Sequence, residues 1–85
     1  SVYLPSGASS PEAQARKDAW MPPFREWARA FVDDPRPVIL AGDLNIAPTP
    51  IDIHDPKGNA KNSGFLPHER AWFGEVLADG WTDLV

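Results

Sequence analysis

The stretch Pro37-Val38-Ile39-Leu40-Ala41-Gly42-Asp43-Leu44-Asn45 decides how the chain is read. Its first half is a near-continuous apolar run, the pattern of a strand covered on both faces, as in the sheets of α/β proteins. Its second half changes character abruptly. Gly42 lets the backbone turn or admit a ligand closely, and Asp43 and Asn45 follow with one residue between them. In an extended segment, residues two apart point the same way. The spacing therefore predicts a carboxylate and a carboxamide projecting together from a strand tip. Such a pair suits a hard divalent cation, or a general base oriented by an amide. The plainer alternative is that both residues terminate the strand as formers of Asx turns, and spacing alone leaves the two readings open.

Upstream, Val2-Tyr3-Leu4 reads as a short strand ending at Pro5, followed by a loop of turn formers, Ser6-Gly7-Ala8-Ser9-Ser10. Trp20, Phe24, Trp27, Ala28, Phe31 and Val32 then form one apolar stripe at helical spacing, with Arg25, Glu26 and Arg29 off it. Pro22-Pro23 complicates this helix, because two prolines in its interior would cost about 3 kcal/mol or more each. The cheaper reading puts them in the first turn of a helix over residues 19–32. The alternative is a longer helix from about Glu12, kinked at the prolines, and Asp33-Asp34-Pro35 ends either one. Residues 43–66 hold no sustained period, and loops of that length in compact domains are usually functional or disordered. Pro67 suits the first turn of a last helix, with Trp72, Phe73, Val76 and Leu77 on one face and Gly80 as its stop. Trp81-Thr82-Asp83-Leu84-Val85 closes the chain as another apolar, strand-like run. The predicted order is strand, helix, strand, long loop, helix, strand, an α/β layered pattern.

Composition narrows the function classes. The 85 residues are 42% hydrophobic and 24% charged, ordinary for a globular protein and too apolar for a disordered tail. No run of about 18 apolar residues exists to span a membrane as a helix. No basic-then-apolar leader opens the chain, so the expectation is a cytoplasmic protein of bacterial type with no membrane partner. Without cysteine, disulfide stapling and thiolate metal sites are excluded from this stretch. The opening on a strand, with Met21 the only methionine, reads as an excerpt: residues 1–85 are expected to be the central portion of one domain, not a complete one. The net charge of −4 argues against a generic nucleic-acid coat. Yet residues 57–70 set Lys57, Lys61 and Arg70 against Glu69 alone, a local excess of 3 − 1 = +2. A solvated loop face is the ordinary account of Lys57 and Lys61; beside a metal site, such a stretch can also touch a polyanion. A calcium loop starting at Asp43 fails, because its sixth residue is Pro48 and its twelfth His54. His54 and His68 lack ligand spacing and read as surface residues, and no histidine is placed to activate Ser6, Ser9 or Ser10.

Gly42-Asp43-Leu44-Asn45-Ile46-Ala47-Pro48 resembles the GDxNxxP segment of the exodeoxyribonuclease III family of abasic-site DNA endonucleases, in the endonuclease/exonuclease/phosphatase superfamily. Tyr3-Leu4-Pro5-Ser6-Gly7 looks like that family's tyrosine-bearing strand end, the residues from Asp55 to Phe65 like its DNA-facing loop, and Pro67-His68-Glu69-Arg70 like the start of its next helix. The resemblance covers nearly the whole chain in order. It implies a fragment of a DNase I-like, four-layer α/β-sandwich and a nuclease using Mg²⁺ or Mn²⁺. The implied substrate is double-stranded DNA with abasic sites or 3′ ends, and the parent protein would be monomeric. By the same resemblance, the aspartate matching Asp43 prepares the attacking water at the metal site. The asparagine matching Asn45 orients it, shares the metal site and steadies charge on the phosphorus-bound oxygens. The tyrosine matching Tyr3 bonds the scissile phosphate, and the positions matching Lys57, Asn59, Lys61 and Asn62 lie along the DNA backbone. Ser6 departs from the family's usual Asn or Gln, and Pro22-Pro23 interrupts a helix that is normally unbroken. The family's amino-terminal Asn and Glu ligands, its later Asp and its carboxy-terminal Asp-His pair have no counterpart here, so these residues alone are expected to be inactive. Two other readings stand beside this one: a different phosphoesterase of the same superfamily, and a non-catalytic module that binds DNA or a partner.

Overall fold

Ser10 starts the long helix. Its backbone is extended and its Oγ accepts the Ala13 amide at 3.0 Å, a cap worth about 1 kcal/mol. Pro11 at the first helical turn and Glu12 beside it suit a helix N-terminus. A computed structural model describes residues 1–84, and its elements in chain order are β1 (Val2–Tyr3), α1 (Pro11–Arg29), β2 (Gly42–Asp43), a short 3₁₀ turn (Pro50–Asp52) and α2 (Pro67–Ala78). The longer of the two expected helices forms, so Pro22 and Pro23 lie in the interior of α1 and not in its first turn. The buried face explains why. It consists of Ala13, Lys17, Met21, Phe24 and Ala28, a stripe that needs a helix beginning near Pro11. The two missing amides free the carbonyls of Asp18 and Ala19, while Ala19 and both prolines are exposed to water. The predicted stripe is rotated accordingly: Trp20 and Trp27 are 52% and 47% exposed, and Phe31 and Val32 lie past the helix end.

β1 and β2 pair in parallel, Val2 opposite Gly42 and Tyr3 opposite Asp43. The ladder includes Val2 N–H to Ala41 O at 2.7 Å and Leu4 N–H to Asp43 O at 2.8 Å. The apolar run ahead of Asp43 was expected to be a strand throughout, and only its last residue, Gly42, is one. Residues 38–40 pair with no described residue, so their backbone has no ladder to join, and Ile39 is 78% exposed.

α2 lays Trp72 and Val76 on α1. The core is Leu4, Met21, Phe24, Ala28, Trp72 and Val76, flanked by Val2, Leu40, Leu44, Ile46, Phe73 and Trp81. Trp72 Nε1 donates to the Met21 carbonyl at 2.8 Å, and Arg25 grips Asp79 through both carboxylate oxygens at 2.8 and 2.9 Å. The closing strand is not formed over residues 81–84; Trp81 instead donates to the Ala28 carbonyl at 3.3 Å and packs on the core. Val85, the end of that expected strand, lies outside the described residues. The described chain is thus a two-stranded parallel sheet with two helices, an α/β arrangement.

Candidate functional site

The parallel register sets Tyr3 beside Asp43, and in-register neighbours in a sheet present their side chains to the same face. Both are exposed. The chain then leaves the strand: Asn45 has φ 54°, the left-handed region that asparagine tolerates better than most residues. Asp43 Oδ1 accepts the Asn45 amide at 2.8 Å, closing an Asx turn, and Asn45 Nδ2 donates to the Leu4 carbonyl at 2.6 Å. Strand alternation therefore does not join Asp43 to Asn45, as the spacing predicted; a turn does. The plainer alternative is present in the geometry, and it engages only one carboxylate oxygen. Asp43 Oδ2 and Asn45 Oδ1 carry no hydrogen bond to a described residue. Two such oxygens suit Mg²⁺ or Mn²⁺, which takes one or two protein carboxylates and otherwise keeps water or phosphate oxygens. Among the described residues, no group of three or more His, Cys, Asp or Glu could hold a metal ion.

Beneath this turn lies a polar network that sequence reasoning missed. Lys17 and Glu69, both with fully buried side chains, pair at 2.5 Å. Lys17 Nζ also donates to the Asn45 carbonyl at 2.6 Å. Glu69 Oε1 accepts the amides of Gly64 at 2.7 Å and Leu66 at 3.1 Å, and its Oε2 accepts from Gln14 at 3.2 Å as well as from Lys17. Every acceptor position of this carboxylate is therefore occupied. Burial pushes the Glu69 carboxyl upward, but the hydrogen bonds from Lys17, Leu66 and Gln14, together with the Lys17 charge, outweigh it and hold the group below its usual range. Two further bonds hold the segment after Asn45: Ala47 N–H to Gly64 O at 2.7 Å and Arg70 Nε to Pro48 O at 3.2 Å. The sequence did contain one signal, a lysine on the line from Ala13 through Met21 to Phe24, where only apolar residues were sought.

The loop beyond is ordered by its own asparagines. Asn59 Nδ2 donates to the carbonyls of His54 and Asp55 at 2.7 and 3.0 Å, and its Oδ1 accepts from Asn62 Nδ2 at 2.9 Å. Lys57 and Lys61 are exposed and form no ion pair with a described residue. Tyr3, Asp43 and Asn45 are thus brought together. The four loop residues form a separate group, joined to them through Gly64. Of the two histidines, His54 is exposed and His68 pairs with Asp18 at 2.8 Å on the surface.

Comparison with known proteins bears on the family of the chain. The model of the Endonuclease/Exonuclease/phosphatase family matches residues 2–84. The chain belongs to that family. Within it, the chain is 38% identical over 82 residues to the DNA repair nuclease APEX1 of Danio rerio, covering 96% of this chain and 26% of that protein. It is 34% identical over 82 residues to an exodeoxyribonuclease of Streptococcus pneumoniae, covering 96% of this chain and 30% of the relative. It is also 34% identical over 88 residues to recombination repair protein 1 of Drosophila melanogaster, covering 96% and 12%. The chain therefore spans under a third of the length of these family members. An α/β fold is what membership of the Endonuclease/Exonuclease/phosphatase family implies, in keeping with the parallel strands and two helices described above.

Proposed function

We propose that the chain is the central part of a divalent-metal-dependent DNA repair nuclease. The parent protein hydrolyses phosphodiester bonds 5′ to abasic sites in double-stranded DNA and acts at 3′ ends as a 3′-5′ exonuclease or 3′-phosphodiesterase. The observation that supports this most directly is the shared end of β1 and β2, with Tyr3 and Asp43 in register and the Asn45 carboxamide held on the Leu4 carbonyl. The printed names of the relatives, DNA repair nuclease and exodeoxyribonuclease, support the same reading.

In this mechanism Asp43, through the oxygen its Asx turn leaves open, takes the proton of the attacking water. The Tyr3 hydroxyl donates to the scissile phosphate, and the Asn45 carboxamide steadies charge on the phosphorus-bound oxygens. Asp43 and Asn45 would hold Mg²⁺ or Mn²⁺, which supplies Lewis-acid polarisation of a phosphoryl oxygen and a more acidic bound water. Lys57 and Lys61 meet backbone phosphates, contacts that position a duplex without reading its sequence, on a loop shaped by Asn59 and Asn62. The parent works as a monomer.

The test uses the full-length protein and a duplex carrying one abasic site. Nicking 5′ to the site should require Mg²⁺ or Mn²⁺ and stop on chelation. Asp43→Asn should lower incision about 10²–10⁴-fold while leaving DNA binding largely intact. Normal turnover by that variant would contradict the role given to Asp43. Turnover of inositol phosphates or other soluble phosphoesters in place of abasic DNA would point to another branch of the family, and binding of DNA without any turnover to a non-catalytic module.

A further inference from the structure

We infer that the buried Lys17–Glu69 pair is a positioning device for the Asn45 carboxamide, and that it ties the loop carrying Lys57 and Lys61 to the same turn. The inference rests on the function proposed above.

The geometry is specific. Asn45 sits at φ 54°, a conformation that persists when surrounding contacts determine it. Its carbonyl accepts from Lys17 Nζ at 2.6 Å, its amide donates to Asp43, and its side chain donates to Leu4. Three separate segments thus fix one residue, and only the Lys17 contact comes from a helix. Glu69 in turn holds Lys17 in place and accepts the Gly64 amide, while the Gly64 carbonyl accepts from Ala47, two residues after Asn45. Gly64, at φ 95°, ends the loop that holds the two exposed lysines, and a Cβ there would meet the Asn45 carbonyl oxygen at 3.2 Å. One carboxylate therefore reaches both the turn and the end of the loop. A buried ion pair is weak evidence for stability, since an apolar pair of similar volume often serves as well. A positional task, holding a strained turn beside the proposed chemistry, accounts for a lysine and a glutamate fully buried between α1 and α2.

The test is the double substitution Lys17→Met with Glu69→Gln in the full-length protein, which removes both charges together and so leaves neither one buried alone. Melting followed by circular dichroism checks the fold. On abasic duplex we expect kcat to fall on the order of 100-fold, the size of effect that a small misplacement of a reacting group produces, with KM little changed. The Asn45 carboxamide NMR resonances should shift. Lys17→Arg, which keeps a donor for both partners, should retain most of the wild-type kcat. Wild-type kcat in the folded double variant overturns the inference, and so do unshifted Asn45 resonances. If the double variant does not fold, Lys17→Gln with Glu69→Gln, which removes both charges but keeps a polar pair, carries the test with the same outcomes. If the wild-type protein does not nick abasic DNA, the functional reading fails by itself, and the Asn45 resonances still decide the positioning.

Discussion

At Gly42 the backbone has φ 151°, and an added Cβ would lie 1.7 Å from the Val2 carbonyl oxygen. No rotamer relieves that contact, because it is between backbone groups. Gly42→Ala should force β2 away from β1 at a cost of about 1–3 kcal/mol. Incision should suffer beyond the loss of stability, because Tyr3 and Asp43 owe their adjacency to this ladder. Thermal melting with parallel rate measurements checks both, and a variant that melts and cuts like the wild type would remove the ladder from the argument. Gly42 and Asp43 were legible as a strand end from local pattern. The left-handed conformation of Asn45 was not, since asparagine only permits that conformation and the contacts from Lys17 and Leu4 select it.

Between elements, the join of α1 to α2 is electrostatic at both ends, with Lys17–Glu69 near the candidate site and Arg25–Asp79 at the far end of α2. The Glu69 carboxyl is held below its ordinary value of 4.5 in the folded chain. The sign follows: the unfolded chain binds a proton at Glu69 more readily, so this group's contribution to stability is present above pH 4.5 and is lost as pH falls through the folded value. In the full-length protein, the urea midpoints of wild type and Glu69→Gln should differ most above pH 4.5 and converge in acid. A constant difference across that range would show that the glutamate charge has no part in the join. Helix α2 was legible from Pro67, Gly80 and one apolar face. Helix α1 was legible as a helix but not in its start, because helix propensity penalises Pro22 and Pro23 locally whereas the stripe from Ala13 to Ala28 rewards the longer helix globally.

For the whole molecule, the described residues include the Asp43–Asn45 turn but no group of three or more His, Cys, Asp or Glu that could hold a metal ion, alongside exposed aromatic residues at Tyr3, Trp20 and Trp27. Residues 1–85 purified alone should therefore show no Mg²⁺-dependent nicking of an abasic duplex; incision by this peptide would mean that these residues suffice for the chemistry. Periodicity and turn chemistry were enough to establish an α/β arrangement, two helices and a strand ending at Asp43, and the resemblance of the ordered motifs pointed to the family. All of these depend on residues near one another along the chain. Packing alone decided the register of the two strands, the face that α1 buries and the enclosure of Lys17 and Glu69. Each of those depends on which distant group lies opposite: Val2 across from Gly42, Trp72 against Met21, Glu69 beside Lys17. A charge on an apolar stripe looks like an interruption until the partner that neutralises it, 52 residues later, is in place.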